Sequence, residues 1–238
     1  MLKRNLPNII TLGNLIMGCI GIQFSLSGNI EFASYCIMGC AILDFMDGAV
    51  ARLLKSFSAL GKDLDSLSDA VSFGVLPGFI SHHLSMDALE NHSDWFPENI
   101  SWQIVKWSYL VIPVLSILRL AKFNSDDRQK ERFIGLPTPA NALFWAGLAL
   151  GISNGMFDLF LSPWTLLIIT TIMSLVLVSE IPMFSLKVTK IEWKQIRVPF
   201  LFIMVTFPMF FYWGFATLCP LIVLYILTSL ALMIKENL

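Results

Sequence analysis

The sequence predicts an all-α integral membrane protein of about eight transmembrane helices, with both termini in the cytoplasm. Composition is the first observation: 56% of the 238 residues are hydrophobic and 14% are charged, whereas soluble domains are roughly 45–50% apolar and about 25% charged. Segment length is the second, because repeated apolar runs of about 20 residues match a hydrocarbon core of roughly 30 Å. The third is a one-sided distribution of lysine and arginine. No basic stripe marks a nucleic-acid footprint, so no nucleic-acid partner is expected.

Apolar runs place the predicted helices along the chain. The expected spans are 8–27, 30–54, 63–84, 102–122, 137–153, 163–186, 197–213 and 217–234. One domain is the natural count for a chain of this length, so residues 1–238 are interpreted as a single transmembrane domain.

The cationic residues orient these spans. With eight helices, all but one of the sixteen lysines and arginines fall on the side that holds both termini, and the exception is Lys106. The opposite loops carry acidic residues such as Glu31 and Asp87. Because cytoplasmic loops are enriched in Lys and Arg, we expect that side to face the cytoplasm.

Polar residues are concentrated in one segment of this apolar chain. One predicted helix face carries residues at i, i+3, i+4, i+7 and i+8, namely Asp44, Asp47, Gly48, Ala51 and Arg52. On the next helix the four-residue repeat is Gly61, Asp65 and Asp69. Since a short turn joins the two helices, we expect them to be antiparallel neighbours whose acidic faces meet near the cytoplasmic end.

Four carboxylates at this depth need compensation. Each costs roughly 2.5–3.5 kcal/mol on insertion scales, about 10–14 kcal/mol together, which rivals the whole stability of a domain, about 5–15 kcal/mol. One arginine cannot neutralise four charges, but Mg²⁺ or Mn²⁺ prefers carboxylate ligands, and two such ions clamp both reacting oxygens of a phosphoryl displacement. Small residues among the acids let a nucleotide or pyrophosphate approach the backbone, and Arg52 is placed to meet phosphate.

Other interpretations of the same residues exist. A lone intramembrane aspartate is often a packing or relay residue, and small residues four apart commonly form a helix-packing seam. An ion- or proton-coupled transporter is the alternative of another class, because intramembrane acids also line ion pathways. Internal repetition would favour a transporter, and the acidic motif occurs once.

The acidic segment, residues 44–69, resembles the signature of a known family. It runs Asp44-x-x-Asp47-Gly48-x-x-Ala51-Arg52, eight residues, then Gly61-x-x-x-Asp65-x-x-x-Asp69. This is similar to the CDP-alcohol phosphotransferases, membrane enzymes that transfer a phosphatidyl-type group from a CDP-linked lipid to an alcohol. Three further stretches, Pro7 to Leu15 and, within residues 118–140, Leu118 to Asn124 and Phe133 to Ala140, resemble the phosphatidylserine synthase branch. Lys122 stands where that branch usually has arginine, so a charge is kept but the bidentate fork is lost.

The resemblance implies roles for individual residues. Two Mg²⁺ or Mn²⁺ ions would be held by Asp44, Asp47, Asp65 and Asp69, and Asp69 would also accept the proton of the incoming hydroxyl. The CDP moiety would be bound by Gly48, Ala51, Arg52, Ser58 and Gly61, with Asn8 and Thr11 at its border. Serine would be bound by Arg119, Lys122, Asn124, Gly135 and Pro137. Positive-inside topology is the other explanation of the cations in this last set.

The resemblance also implies an activity and its partners. The expected enzyme is a CDP-diacylglycerol–serine O-phosphatidyltransferase that works at the cytoplasmic face of the cell membrane. Its partners would be CDP-diacylglycerol or an ether-lipid analogue, L-serine, membrane lipid and a second copy of the chain in a homodimer. Glycerol 3-phosphate, an inositol compound or choline stays open as the acceptor.

Overall fold

The computed structural model describes residues 2–56, 58–91, 100–126, 133–183, 204 and 206–236. The α-helices in these ranges are α1 (Leu2–Leu26), α2 (Ile30–Leu54), α3 (Ala59–Asp69), α4 (Leu76–Asn91), α5 (Ile100–Trp107), α6 (Val111–Ser125), α7 (Thr138–Ser153), α8 (Pro163–Val178) and α9 (Leu218–Glu236). Residues 206–213 are also helical and lead into α9 through the 3₁₀ turn Gly214–Thr217.

Two pairs of helices are nearly continuous and match single predicted spans. A π-helical stretch, Ala70–Val75, joins α3 to α4. A 3₁₀ turn, Ser108–Leu110, joins α5 to α6. The predicted spans 63–84 and 102–122 therefore each correspond to a helix pair that begins and ends a few residues outside the expected limits.

Short polar residues set the helix ends around the acidic segment. Asn29 caps α2, since its side chain accepts a hydrogen bond from the Phe32 N–H at 3.3 Å. At the other end of α2, Lys55 adopts a left-handed conformation with φ 50° and stops the helix. Ser58 then caps α3 by accepting the Gly61 N–H at 3.0 Å. Only residues 55–58 separate the end of α2 from the start of α3.

The sixth predicted span is too long at its C-terminal end. It was expected to run over 163–186, but α8 ends at Val178. Pro182 lacks an N–H and disfavours helical geometry in the residue before it. The chain instead forms a short strand, β2 (Pro182–Met183), which pairs antiparallel with β1 (Phe133–Ile134).

The seventh predicted span, 197–213, is partly testable. Residues 197–203 and 205 lie outside the described residues, whereas 206–213 are helical as expected. The eighth predicted span corresponds to α9.

The core is formed around α7, and large apolar side chains cover the outside. Most of α7 is buried, including Trp145, and it packs against α2, α4 and α9. Large outward side chains such as Phe45, 71% exposed, face away from the core. Among the described residues, three helical stretches are long and apolar enough to cross a membrane: Asn5–Leu26, Ile100–Ser125 and Thr206–Lys235. Apart from the β1–β2 pairing, the described chain has the architecture of an all-α membrane protein.

Candidate functional site

An acidic cluster forms where α2 and α3 meet. α2 presents Asp44 and Asp47 one turn apart, and α3 presents Asp65. Carboxylate oxygens of these three residues lie within 4.8 Å of one another. Asp47 is only 6% exposed. The predicted meeting of the two acidic faces is therefore confirmed for these three aspartates.

Asp69 lies beside this cluster but one turn further along the chain. It is the last residue of α3, directly before the π-helical stretch, and π-helical turns are frequent at functional sites. Its carboxylate interacts electrostatically with the other three aspartates and with the guanidinium of Arg119. Its Oδ1 atom is buried and has no hydrogen-bond partner among the described residues.

Hydrogen bonds connect α1 to the helices that carry the acidic residues. The Thr11 hydroxyl donates a hydrogen bond to Asp47 Oδ2 at 2.6 Å. In the opposite direction, the Ser68 hydroxyl on α3 donates to the Thr11 carbonyl at 3.1 Å. The Ser72 hydroxyl donates to the carbonyl of Asn14 at 3.2 Å. One face of α1 thus connects α2 to the end of α3.

The acidic cluster fits divalent cations. Three like charges this close repel one another unless a cation lies between them. The donor set consists of carboxylate oxygens, which Mg²⁺ and Mn²⁺ prefer, and the buried Oδ1 of Asp69 is a further oxygen without a partner in the described chain. Asp44, Asp47, Asp65 and Asp69 are the residues that could hold the metal.

A cavity of about 230 Å³, named here the signature cavity, opens beside the acidic cluster. Its lining consists of Pro7, Asn8, Thr11, Asp47, Gly48, Ala51, Arg52, Ser56, Ser58, Gly61, Lys62 and Asp65. Every residue predicted to bind or border the CDP moiety is in this lining. The structure therefore brings together residues of α1, α2 and α3 that lie as far apart in the sequence as Pro7 and Asp65.

Small residues keep the signature cavity open. A Cβ added at Gly61 would lie 3.0 Å from Asn8 Oδ1 and 3.1 Å from Ser58 Oγ. At Gly48, an added Cβ would lie 3.5 Å from the Arg52 Nη1 atom. Side chains at these positions would therefore occupy space between the polar walls.

Three lining residues were missed by sequence reasoning: Pro7, Ser56 and Lys62. Ser56 follows the left-handed Lys55, and its hydroxyl is buried without a hydrogen-bond partner in the described part of the chain. No signature position covers Ser56. Lys62 directly follows the signature residue Gly61, and this adjacency is the sequence signal that points to it.

A second cavity of about 160 Å³, named here the α6–α8 cavity, lies between the ends of those two helices. Its lining consists of Arg119, Lys122, Ser125, Asp126, Ile134, Leu177, Val178, Ser179 and Glu180. Arg119 is 6% exposed and its guanidinium lies 4.8 Å from the centre of the Phe123 ring. Arg119 joins the two sites, because it lines this cavity and also interacts with Asp69.

The residues predicted to bind serine are divided by the structure. Arg119 and Lys122 line the α6–α8 cavity. Asn124 is directed elsewhere, since its Nδ2 donates to Ser66 Oγ at 2.8 Å. Gly135 donates its N–H to the Ile181 carbonyl at 2.9 Å, and Pro137 precedes α7 as its cap residue. None of these last three residues is part of the cavity lining.

The fold and the acidic site define a class of protein that the sequence comparisons also identify. Residues 4–177 match the CDP-alcohol phosphatidyltransferase family. The chain belongs to this family.

Particular relatives carry a more specific name, CDP-diacylglycerol–serine O-phosphatidyltransferase. The protein of that name from Mycobacterium leprae is 36% identical over 186 residues, which cover 75% of this chain and 57% of the relative. The Mycobacterium tuberculosis H37Rv protein is also 36% identical over 186 residues, which cover 75% of this chain and 60% of the relative. The Bacillus subtilis protein is 33% identical over 176 residues, which cover 74% of this chain and 88% of the relative. The chain therefore spans about three-fifths of the mycobacterial relatives.

Proposed function

We propose that this protein transfers the phosphatidyl group of CDP-diacylglycerol to the hydroxyl of L-serine and releases CMP. The observation that carries the proposal is an acidic cluster opening on a cavity whose lining includes every predicted CDP residue. The names of the matched relatives support serine as the acceptor. Membership of a phosphatidyltransferase family also favours this activity over an ion-coupled transporter.

The nucleotide end of the lipid substrate would lie in the signature cavity. Gly48, Ala51 and Gly61 leave room for the cytidine and the pyrophosphate to approach the backbone. Arg52 would pair with phosphate oxygens through its planar fork. Asn8, Thr11 and Ser58 form the polar border of the same cavity.

Two divalent cations, Mg²⁺ or Mn²⁺, would be held by Asp44, Asp47, Asp65 and Asp69. When bound, such ions would neutralise negative charge on the oxygens of the transferring phosphate and of the departing CMP. The hydrogen bond from Thr11 fixes the orientation of the Asp47 carboxylate, as partners of metal ligands commonly do.

The transfer itself requires one bond to form and one to break. The serine oxygen attacks the phosphorus that carries diacylglycerol, and the bond from that phosphorus to the oxygen of the CMP phosphate breaks. CMP leaves with the electron pair, and the serine hydroxyl proton moves to Asp69. A serine hydroxyl is a poor nucleophile near pH 7, so a base within hydrogen-bond reach is needed. The buried, unpartnered Oδ1 of Asp69 supports its assignment as that base.

The acceptor would enter from the α6–α8 cavity. Arg119 and Lys122 would hold the serine carboxylate, and the interaction of Arg119 with Asp69 connects that subsite to the base. Asn124, Gly135 and Pro137 would act by fixing the ends of α6, α8 and α7 around the bound serine.

We also propose the membrane arrangement predicted from the sequence. Residues 1–238 would form one domain with eight spans, both termini in the cytoplasm and the site at the cytoplasmic face of the cell membrane. The one-sided placement of lysine and arginine supports this orientation. The tails of the lipid substrate would be acyl or ether-linked chains and would extend into the surrounding membrane lipid. The protein would form a homodimer.

A labelling assay tests the proposed activity. Purified protein is incubated with CDP-diacylglycerol and labelled L-serine, with Mg²⁺ or Mn²⁺ or after chelation. We expect labelled lipid and an equal amount of CMP only when the metal is present. A protein that retains bound CDP-diacylglycerol but makes no labelled lipid with either metal would overturn the proposal.

A further inference from the structure

Charges of both signs line the α6–α8 cavity. Arg119 and Lys122 lie on α6, whereas Asp126 follows α6 and Glu180 follows α8. The signature cavity has a different character, because its carboxylates belong to the metal cluster. A small cavity that offers both cations and carboxylates is complementary to a small molecule that carries both charges.

The cationic side of this cavity is built into the fold. Arg119 is 6% exposed, and its Nε atom is buried with no hydrogen-bond partner in the ranges the structure describes. Burying a guanidinium with unsatisfied N–H groups is costly unless an acceptor arrives. Because Arg119 both lines the cavity and interacts electrostatically with Asp69, an anionic group bound there would share its cationic partner with the proposed base.

The opposite side of the cavity is formed by the C-terminal end of α8. Leu177, Val178 and Ser179 contribute to the lining, followed by Glu180. A helix C-terminus carries partial negative charge on its last carbonyl groups, which favours a nearby cation. The carboxylate of Glu180, two residues after the last residue of α8, adds to this negative potential.

Gly135 holds the end of α8 in place. Its φ is +75°, and an added Cβ would lie 2.5 Å from the Leu177 carbonyl oxygen and 3.0 Å from that of Ser179. Its N–H donates to the Ile181 carbonyl. The backbone at Gly135 therefore approaches the α8 terminus as closely as only glycine permits, which fixes the segment that carries Glu180 against the chain entering α7.

We infer that the α6–α8 cavity is a zwitterion subsite in which Glu180 and the α8 C-terminus bind the ammonium group of an α-amino acid acceptor. Arg119 and Lys122 bind its carboxylate in the same subsite. This inference rests on the proposed function and deepens it, because it assigns the choice of acceptor to a specific carboxylate. Glu180 lies outside residues 4–177, the part of the chain that matches the family as a whole.

The charge pattern separates the acceptors that the sequence leaves open. Glycerol 3-phosphate and inositol phosphates carry one or two negative charges and no cation, so Glu180 and Asp126 repel them. Choline carries a cation without a carboxylate and supplies no anion to Arg119. Serine supplies both charges, and a cavity of about 160 Å³ accommodates a molecule of its size.

The test uses Glu180→Gln in the full chain, with Glu90→Gln as the matched control. Glu90 is an exposed carboxylate near the far end of α4. For each protein we measure kcat and KM for serine, KM for CDP-diacylglycerol, and inhibition by 3-hydroxypropionate and by glycerol 3-phosphate. The first inhibitor keeps the carboxylate and hydroxyl of serine but lacks its ammonium group.

For Glu180→Gln we expect KM for serine to rise about 10- to 100-fold, the range for loss of a charge-assisted contact. Its kcat and its KM for CDP-diacylglycerol should stay near wild type. Inhibition by 3-hydroxypropionate should be unchanged, and glycerol 3-phosphate should inhibit more strongly. Glu90→Gln should match wild type throughout.

Two results overturn the inference while leaving the proposed function intact. One is wild-type KM for serine in Glu180→Gln. The other is equal weakening of serine and 3-hydroxypropionate, which would mean a structural effect on the cavity rather than ammonium binding. A wild-type protein that ignores serine and labels lipid from glycerol 3-phosphate would overturn the proposed function and this inference together.

Discussion

The two cavities differ in how the chain builds them. The signature cavity is formed by residues 7–65 on three consecutive helices, and its polar lining includes two members of the acidic cluster. The α6–α8 cavity gathers residues from 119 to 180, and its lining carries both signs of charge. We propose that the first performs the phosphatidyl transfer that the family shares and the second selects the acceptor. Arg119 links them through its interaction with Asp69.

The largest effect should come from the base between the two cavities. Asp69→Asn removes the proposed proton acceptor but leaves the neutral side chain nearly the same size, so turnover should fall about 10²- to 10⁴-fold. Some metal binding should survive, because Asp44, Asp47 and Asp65 remain clustered. Lipid labelling measures the first effect and Mn²⁺ titration the second.

Asp63→Asn is the control for this substitution. Asp63 is exposed on the same helix and outside both cavity linings, so its variant should keep wild-type turnover. Unchanged turnover in Asp69→Asn would show that the base is another group.

A smaller effect on metal activation is expected at Thr11. Thr11→Val removes the hydroxyl that donates to Asp47 at 2.6 Å, and losing such a partner of a metal ligand typically costs about 10- to 100-fold in affinity or activity. The metal concentration for half-maximal labelling should rise accordingly. Thr171→Val is the control, since Thr171 is exposed and its hydroxyl donates within α8, to the Leu167 carbonyl at 2.8 Å. Equal activation curves for both variants would remove Thr11 from the site.

Distortion of the α6–α8 cavity should affect serine alone. Gly135→Ala forces a Cβ against the Leu177 carbonyl, so we expect KM for serine to rise about 10-fold, as for about 1.4 kcal/mol of lost binding. KM for CDP-diacylglycerol should be unaffected. Gly214→Ala shares a positive φ, +55°, but its Cβ would meet nothing within 4 Å. In both variants, a residue with a Cβ in this backbone conformation costs roughly 1–2 kcal/mol of folding free energy. If KM for serine rises in both, the effect at Gly135 is general destabilisation and not distortion of the cavity.

The smallest effect is expected in the signature cavity at Gly61. Gly61→Ala places a Cβ 3.0 Å from Asn8 Oδ1, and overpacking of about 1 kcal/mol corresponds to about a 5-fold rise in KM for CDP-diacylglycerol. KM for serine should not change, the reverse of the pattern at Gly135. In Gly13→Ala, the added Cβ meets nothing within 4 Å, and this control should behave as wild type. The division between the cavities fails if Gly61→Ala weakens serine and the lipid equally.

Helical periodicity explains why the acidic cluster beside the signature cavity was predictable. Positions i, i+3, i+4 and i+7 of one helix share a face whatever the rest of the chain does. Spacing and one short turn therefore suffice to predict that Asp44, Asp47 and Asp65 lie close together. The limits of α2 were also predictable, because Asn29 caps one end and the apolar run stops at the other.

The α6–α8 cavity could not be predicted in the same way, because long-range contacts form it. The family resemblance placed Asn124 with Arg119 and Lys122, but its amide turns to Ser66, 58 positions away. The early end of α8 depends on Pro182 and on pairing with β1, fifty residues earlier. Glu180 lines the cavity because α8 ends before it, and that early end depends on distant residues. No local sequence pattern therefore identified Glu180.

An acceptor competition with the purified wild-type protein tests the central claim most directly. CDP-diacylglycerol, a divalent cation and equal concentrations of L-serine and glycerol 3-phosphate are supplied together, and the lipid products are separated and quantified. The account predicts phosphatidylserine as the dominant product, with one CMP released per lipid and no product after chelation. A dominant glycerophosphate-derived lipid, or serine transfer that persists without metal, would contradict it.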